Sequence, residues 1–255
     1  MHGALLAGLA KYAILAYMKA LITGANSLVN RALFVKIVDM GYEVTAHYHT
    51  ENDLTKELKA KYPKARFIQA DFSSKDSFLK FIEQSMDGKY HVLVNAAVWY
   101  AEAKGWKPQQ DWDAWQKTFA VNTTTAGVLM AHADLALHEG GVIVNISSTY
   151  GQTYMGDTQF TMYGASKAAL DSLTMNYAKK WAPHIRVVGI APGWVKSAWN
   201  KGMSPKEIAA MIGPQLTHKL VEPEEIASLM EAVIKNGSIN ATTLVIDGGL
   251  GAPIV

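Results

Sequence analysis

Short runs of β-branched and apolar residues alternate with longer helix-compatible stretches from Met18 onward. The apolar runs lie near 18–23, 42–47, 65–69, 91–95, 141–146, 185–190 and 243–246. This alternation predicts a parallel sheet whose crossover helices cover both faces. No linker rich in Pro, Gly or Ser and no internal repeat divides the pattern. We therefore predict a single α/β domain, a doubly wound parallel sheet of Rossmann type over 18–255, with its ligand beyond the carboxyl ends of the strands.

The first 17 residues stand apart from this pattern. Residues 3–17 are nearly all apolar, but Lys11 interrupts them and they are too short to span a bilayer. No small-residue cleavage site precedes Met18, which argues against a signal peptide. We interpret 1–17 as an appended segment, either an amphipathic helix packed on the domain or the product of an upstream start codon. A membrane anchor at 3–17 is the less favoured alternative.

Composition narrows the class of partner. The net charge is +2 and the lysines are dispersed, so there is no electrostatic case for nucleic acid. Cysteine is absent, which excludes disulfides, thiolate nucleophiles and Cys-ligated zinc and fits a cytoplasmic protein. We expect the ligand to be a small molecule.

Tyr163 and Lys167 are the most informative pair of residues. Their spacing of four places a phenol and an ammonium on one helical face, and a neighbouring cation stabilises a phenolate. The pair follows an apolar run, 141–146, that leads directly into Ser147 and Ser148. A second pair with the same spacing, Tyr100 and Lys104, lies in a Trp-rich connection, and we interpret it as surface.

Several further segments accompany this pair in a fixed order. They are Asp71, Val94-Asn95-Ala96-Ala97, Asn122, Pro192-Gly193 and Ile246-Asp247-Gly248-Gly249. With Ser148, Tyr163 and Lys167 they make the chain resemble the short-chain dehydrogenase/reductase family over 18–250. The resemblance implies an oxidoreductase that transfers hydride between a nicotinamide cofactor, NAD(P), and a carbonyl or alcohol substrate.

The resemblance also implies a catalytic role for four residues. Tyr163 exchanges a proton with the substrate oxygen, and Lys167 lowers the pKa of Tyr163 while holding the nicotinamide ribose. Ser148, rather than Ser147, polarises the same oxygen, and Asn122 anchors a water chain that resupplies the proton. Each residue also has an alternative explanation when it is considered alone. Ser148 could cap the turn after its strand, and Asn122 could bond a helix carbonyl and kink the helix.

The first turn departs from the family pattern Thr-Gly-x-x-x-Gly-x-Gly. The segment Thr23-Gly24-Ala25-Asn26-Ser27-Leu28-Val29-Asn30 has Leu28 and Asn30 where the second and third glycines stand, and Val98 and Ala241 replace two more glycines. The second and third glycines admit the pyrophosphate and allow close helix packing, so the side chain of Leu28 is expected to crowd the phosphate.

Two outcomes stay open at this turn. In the favoured one, the helix N-terminus still binds phosphate, with Ser27 and Asn30 as added donors and Leu28 turned aside. In the other, the nucleotide site is closed and the protein is a catalytically silent binding or scaffolding protein. For the first outcome, the cofactor-binding residues that we expect are Thr23, Gly24, Asn26, Ser27, Leu28, Asn30, His47, Asp71, Phe72, Asn95, Ala96, Lys167, Pro192, Gly193, Val195 and Ser197.

The end of the second strand bears on the choice of cofactor. NAD-dependent enzymes place a carboxylate there, whereas this strand ends in His47-Tyr48-His49-Thr50 with no acid before Glu51. The segment resembles the His-Tyr-His-Arg segment of pteridine reductases, except at Thr50. NADP(H) is therefore the expected cofactor. A metal shared by His47 and His49 is disfavoured because no third ligand is evident nearby.

The segments expected to surround the substrate are rich in aromatic residues and methionine. They are Trp99-Tyr100, 150–155 and a lid-like stretch from Trp194 through Trp199 to about His218. Such side chains suit a flat or apolar carbonyl compound, and they equally suit a subunit interface. The resemblance implies subunit pairing through two long helices, as in a homotetramer.

Overall fold

The chain forms one seven-stranded sheet. The computed structural model describes residues 18–101, 108–152, 160–198 and 200–252. The predictions that concern 1–17, Lys104, 153–159 and Trp199 lie outside these residues. The strands are β1 (Lys19–Ile22), β2 (Glu43–Tyr48), β3 (Arg66–Gln69), β4 (Tyr90–Asn95), β5 (Leu137–Ile146), β6 (Arg186–Pro192) and β7 (Thr242–Ile246).

The strand order is β3-β2-β1-β4-β5-β6-β7, and all neighbouring strands are parallel. The order reverses between β1 and β4, so the connections after these two strands open a crevice at the carboxyl edge of the sheet. The predicted doubly wound Rossmann-type fold is confirmed.

Helices connect the strands, and four of them begin at side-chain caps. They are α1 (Leu28–Asp39), α2 (Asp53–Lys61), α3 (Lys75–Ser85), α4 (Pro108–Phe119), α5 (Thr125–Ala131), α6 (Ala133–Ala136), α7 (Thr161–Trp181), α8 (Pro205–Ile212) and α9 (Pro223–Lys235). Each capping side chain accepts a hydrogen bond from the backbone N–H of the residue three positions later. The caps are Ser27, Asn52, Ser74 and Ser204, at the starts of α1, α2, α3 and α8. A 3₁₀ turn, Thr149–Gly151, follows β5.

Two apolar layers hold the helices on the sheet. One contains Phe34 of α1 and Met230 of α9, packed with Val94 and Val144. The other contains Phe81 and Leu170, packed with the alternate strand residues such as Leu93 and Ile143. Alternate strand residues supply opposite faces because successive side chains point to opposite sides of a sheet. No helix within the described ranges is long and apolar enough to cross a membrane.

Two local features differ from the sequence-based expectation. β5 begins at Leu137 rather than near 141. Its first residue, Leu137, pairs with Tyr90 of β4, and a register shift separates this pair from the regular ladder that follows. Exposed residues 138–140 and the positive φ of Gly140, +81°, conceal this part of the strand in the hydrophobic pattern. The long helix around Asn122 is also interrupted, by a π-helical turn at Ala120–Thr124.

Candidate active site and dinucleotide cleft

Tyr163, Ser148 and Lys167 come together at the carboxyl end of β5. The Tyr163 and Ser148 side chains are hydrogen-bonded. Lys167 Nζ lies 5.7 Å from the centroid of the Tyr163 ring and donates to the carbonyl oxygen of Ile146 at 2.7 Å. Ser148 also caps the following turn, since its Oγ accepts the N–H of Tyr150. The turn-capping role considered for it from sequence is therefore present.

The electrostatics of this cluster are governed by burial. Burial raises the pKa of Tyr163, and the hydrogen bond with Ser148 opposes that shift. This differs from the expected lowering by Lys167, whose ammonium is directed at a backbone carbonyl. Burial lowers the pKa of Lys167 to about 8, and the charge of Asp171 opposes that shift. The buried carbonyl of Ile146 thus accepts a proton of an ammonium that is only 2% exposed.

Asn122 lies inside the π-helical turn and joins three segments. Its Nδ2 donates to the carbonyl of Trp99 and to Ser166 Oγ, both at 2.9 Å, and its Oδ1 accepts the N–H of Trp99 at 2.8 Å. Ser166 Oγ in turn donates to the carbonyl of Tyr163 at 2.7 Å. The alternative role, a bond to a carbonyl of its own helix, is not among these contacts, because the partners of Asn122 are Trp99 and Ser166.

Asp171, one turn beyond Lys167, was missed from sequence. Its carboxylate accepts from Gln152 Nε2 at 2.8 Å, from Thr243 Oγ1 at 3.0 Å and from the Ser147 hydroxyl. Burial raises the pKa of Asp171, while the three hydrogen bonds and Lys167 lower it. Ser147 therefore faces Asp171 and α7 rather than Tyr163, in agreement with the preference for Ser148.

The loop after β1 is fixed closely against the end of β4. Gly24 has a φ of +73°, and a Cβ there would stand 2.6 Å from the Cα of Ala97. Thr23 Oγ1 accepts the N–H groups of Ala96 and Ala97, each at 3.0 Å. Asn26 extends the link by donating to the carbonyl of Thr50. A glycine at 24 is therefore required by the path of the chain.

His47 and Asn30 hold Gly24 from its two sides. The N–H of Gly24 donates to His47 Nδ1 at 3.0 Å, and the carbonyl of Gly24 accepts from Asn30 Nδ2 at 2.8 Å. Asn30 Nδ2 also donates to the carbonyl of Ala96 at 2.8 Å. Both protons of the amide are thereby used, so the prediction of Asn30 as a phosphate donor is wrong for its side chain.

The side chains at the start of α1 face different directions. Leu28 lines a groove with Arg31, Ala32 and Glu224 on the outer side of α1. Its side chain therefore does not crowd the loop, contrary to the expectation from sequence. Ser27 Oγ accepts the N–H of Asn30 at 3.1 Å. The N–H groups of the first helical turn that have no intrahelical acceptor include that of Leu28, as in any helix. These groups suit an anion.

A cleft opens between this loop and Trp99, and we call it the loop cleft. It is lined by Gly24, Asn26, Ser27, Asn30, His47, His49, Asp71, Phe72, Ala97, Val98, Trp99, Lys117 and Val121. Lys117 Nζ lies 4.9 Å from the centroid of the Trp99 ring, and His49 Nε2 lies 3.7 Å from Asp71 Oδ1. Hydrogen bonds from Ser73, with burial opposing them, hold the pKa of Asp71 below its ordinary value.

The other expected cofactor-binding residues lie along the same edge of the sheet. Asn95 is buried, and its Oδ1 has no hydrogen-bond partner among the described residues. Gly193 follows β6 so closely to Asp247 that a Cβ would stand 2.7 Å from the Cβ of Asp247. Pro192 ends β6, Val195 forms a bridge with Val221, and the N–H of Ser197 donates to Asn200 Oδ1. At Gly24 and Gly193 the chain packs so closely on itself that only glycine fits.

Aromatic rings surround Tyr163 in a second cavity, which we call the aromatic pocket. It is lined by Val98, Tyr100, Ser148, Tyr150, Phe160, Tyr163, Gly193 and Trp194. The Tyr100 and Tyr150 ring centroids lie 6.3 Å and 6.1 Å from that of Tyr163. Tyr100 is 41% exposed, yet it belongs to the wall of this pocket and not to an unrelated surface. Val98 lines both cavities, so the two cavities adjoin each other.

The doubly wound sheet, the helix N-terminus that follows its first loop and the Tyr163 cluster are features of a Rossmann-type oxidoreductase. A family model described as enoyl-(acyl carrier protein) reductase matches residues 30–251. The chain belongs to the short-chain dehydrogenase/reductase family, as the sequence resemblance predicted. The matched span begins at Asn30, after most of the divergent first loop.

Individual proteins resemble the chain over nearly its whole length. A dihydromonapterin reductase of Escherichia coli is 29% identical over 238 residues, which cover 90% of this chain and 95% of the relative. A cis-4-hydroxycyclohexanecarboxylate dehydrogenase of Sinomonas cyclohexanicum is 27% identical and covers 91% and 96%. The structure of a Pseudomonas aeruginosa RhlG/NADP active-site complex superposes with a TM-score of 0.82 at 25% identity, covering 93% of this chain and 97% of that one.

Proposed function

We propose that the protein uses NADP(H) to interconvert a carbonyl compound and an alcohol, with Tyr163 as the proton donor or acceptor. The observation that carries the proposal is the hydrogen bond between Tyr163 and Ser148 in the aromatic pocket, with Lys167 behind the ring. The dinucleotide supplies or accepts the hydride at the carbonyl carbon. The residues of the chain bind the substrate oxygen and move its proton.

The protein groups have separate tasks in this reaction. Ser148 donates a hydrogen bond to the carbonyl oxygen, and Tyr163 transfers its phenolic proton to the same oxygen as negative charge develops there. Tyr163 carries its phenolic proton at neutral pH, because burial raises a pKa that is ordinarily about 10. The Lys167 ammonium stabilises the phenolate left behind, and Asn122 is proposed to anchor a water chain that reprotonates it.

The dinucleotide is proposed to extend from the loop cleft to the aromatic pocket. The N-terminus of α1 and Ser27 bind the pyrophosphate, and Asp71, Phe72, Asn95 and Ala96 surround the adenosine half. Lys167, Pro192, Gly193, Val195 and Ser197 surround the nicotinamide half. The preference for NADP(H) rests on the segment His47-Tyr48-His49-Thr50 at the end of β2, which has no acidic residue before Glu51. The NADP-bound structural relative is consistent with this preference.

The substrate is proposed to carry a flat or apolar ring. Rings of Tyr100, Tyr150, Phe160 and Trp194 line the pocket beside Tyr163, and such walls suit planar compounds. Two relatives are named for ring-containing compounds.

The assembly and location are also proposals. Exposed Trp112 and Val128 on α4 and α5, and Met175 on α7, favour pairing of subunits through these helices, which suits a homotetramer. A cytoplasmic location agrees with the absence of cysteine.

Titration of the purified protein with NADPH and with NADH, followed by nicotinamide fluorescence and calorimetry, tests the proposal. NADPH is expected to bind the tighter of the two. In a reductase assay on a panel of ring-containing ketones, Tyr163→Phe should lower kcat by about 10² to 10⁴, the range of positioned acid–base catalysis. Tyr177→Phe, on the same helix but away from the pocket, is the matched control and should keep the wild-type rate. Absence of binding to either cofactor would instead favour a silent binding or scaffolding protein.

A further inference from the structure

The peptide of Gly24 is held by side chains on both sides, at the position where the phosphate loop has lost two glycines. Its backbone has a φ of +73° and no room for a Cβ. A loop with this conformation would keep several accessible states if nothing else fixed it, because glycine is the most permissive residue. Besides the bonds of Thr23 and the bond from the Ala25 N–H to the carbonyl of His47, the side chains of Asn30 and His47 limit it.

Asn30 occupies the position of the third family glycine, and it fills that position with hydrogen bonds. Its side chain is 4% exposed, and Nδ2 donates to the carbonyls of Gly24 and Ala96, both at 2.8 Å. A glycine there would leave two buried carbonyls without these donors, and unpaired buried acceptors are destabilising. Asn30 therefore connects the loop after β1 to the loop after β4.

His47 holds the other side of the same peptide. Its Nδ1 accepts the Gly24 N–H at 3.0 Å, and its Nε2 lies 3.0 Å from the carbonyl of Ala70. A carbonyl only accepts, so Nε2 carries the proton and the ring is in one neutral tautomer. Phe72 stacks on the imidazole, with 3.7 Å between centroids and 6° between planes. The ring plane, and with it the direction of the Nδ1 lone pair, is therefore fixed.

We infer that Asn30 and His47 are positioning residues, which together hold Gly24 and preform the phosphate-binding end of the loop cleft in place of the missing glycines. The inference rests on the dinucleotide site proposed above. It reverses the expectation from the family pattern, because restoring glycine at 30 should weaken binding of the cofactor rather than tighten it.

The test measures the Kd of NADP⁺ by calorimetry. Asn30→Gly should raise Kd by about tenfold or more, the equivalent of about 1.4 kcal/mol. Ala32→Gly introduces glycine into the same helix, with a similar backbone cost and no loss of a loop hydrogen bond, and should stay within about twofold of wild type by the same arithmetic. If Asn30→Gly does not fold, Asn30→Ser, which keeps one hydroxyl donor, should give a partial loss.

A pair of variants at 47 separates positioning from packing. His47→Leu removes the acceptor and should raise Kd by about tenfold. His47→Asn retains an oxygen near the position of Nδ1 and should restore most of the affinity, although it lacks the ring that stacks on Phe72. Folding of each variant is checked by circular dichroism and urea titration.

Each remaining outcome overturns a defined part of the inference. If Asn30→Gly binds NADP⁺ as tightly as wild type or more tightly, or if Ala32→Gly loses as much affinity, Asn30 is not a positioning residue. If His47→Asn does not recover the affinity for NADP⁺ that His47→Leu loses, His47 is not a positioning residue and contributes only packing. If the variants match a wild type that binds tightly, the inference fails while the proposed function stands. If wild type does not bind NADP⁺ or NADPH, both fail.

Discussion

The ammonium of Lys167 donates to the carbonyl oxygen of Ile146 at 2.7 Å, at the last residue of β5. This bond fixes Nζ at the edge of the sheet, 5.7 Å from the centroid of the Tyr163 ring. Desolvation at this buried position lowers the pKa of Lys167 to about 8. The charge that the proposed mechanism needs is consequently lost within an accessible pH range.

Activity should therefore fall as the pH rises through about 8, the pKa of Lys167. We expect kcat/KM for the cofactor, which reports groups of the free enzyme, to decrease about tenfold per pH unit above that value. Arginine in Lys167→Arg keeps its charge across this range. The residual activity of this variant should therefore lack the fall of kcat/KM above pH 8, which we call the alkaline limb of the pH profile. A limb near pH 8 that persists in Lys167→Arg would assign the titration to another group.

Asp171→Asn tests the carboxylate behind Lys167. A carboxamide cannot accept from Gln152, Thr243 and Ser147 as the carboxylate does, and it removes the charge that raises the pKa of Lys167. We expect kcat to fall by about tenfold or more through misplacement of the Ser148 turn. The alkaline limb should also move to a lower pH.

The shift of the limb is the informative readout, because a loss of packing alone would not move it. Asp39→Asn, on exposed α1 surface, is the matched control and should show neither effect. A lower kcat with an unshifted limb would leave Asp171 with a structural role only.

The fold could be predicted from sequence because its signals are local. Seven apolar runs separated by helix-compatible stretches predicted the seven strands, and successive residues such as Leu93 and Val94 serve opposite faces. The early start of β5 could not be predicted, since exposed residues around Gly140 break the apolar pattern. A register shift of this kind depends on the neighbouring strand rather than on the run itself.

The site could be predicted only where a motif carried it. The Ser148, Tyr163 and Lys167 set followed from spacing and resemblance, whereas the roles of Asn30 and Asp171 depend on partners far away in sequence. Asn30 bonds a carbonyl 66 residues later, and Asp171 bonds a hydroxyl 72 residues later. Tyr100 was assigned to the surface because sequence does not show that its ring stands beside Tyr163.

The aromatic pocket leads to a prediction about substrate size. The Trp194 and Tyr150 rings meet edge to face, with centroids 5.8 Å apart. Trp194→Ala should raise KM for a planar bicyclic ketone by about tenfold, since a lost aromatic contact is worth about 1 kcal/mol or more. KM for a small aliphatic ketone should change much less. Leu135→Ala, at an exposed side chain of α6, is the control, and equal effects of Trp194→Ala on both ketones would exclude stacking by Trp194.

His47 makes the stability of the fold depend on pH. Burial lowers its pKa from 6.5 to about 4, with the hydrogen bond to Ala70 opposing the shift. The folded state therefore favours the neutral ring, so its stabilisation is complete above pH 6.5 and is lost as the pH falls from 6.5 toward 4. The imidazolium has no lone pair to accept the Gly24 N–H.

Between pH 7 and pH 5 the free energy of unfolding should drop by about 2 kcal/mol from this group alone. Urea titrations at both pH values measure the drop. His47→Asn has no titrating ring and should lose about that much less over the same interval, while being less stable than wild type at pH 7. His184→Asn, at a side chain 63% exposed, controls for the removal of a histidine. Equal drops in wild type and His47→Asn would show that other groups, and not His47, set the sensitivity to acid.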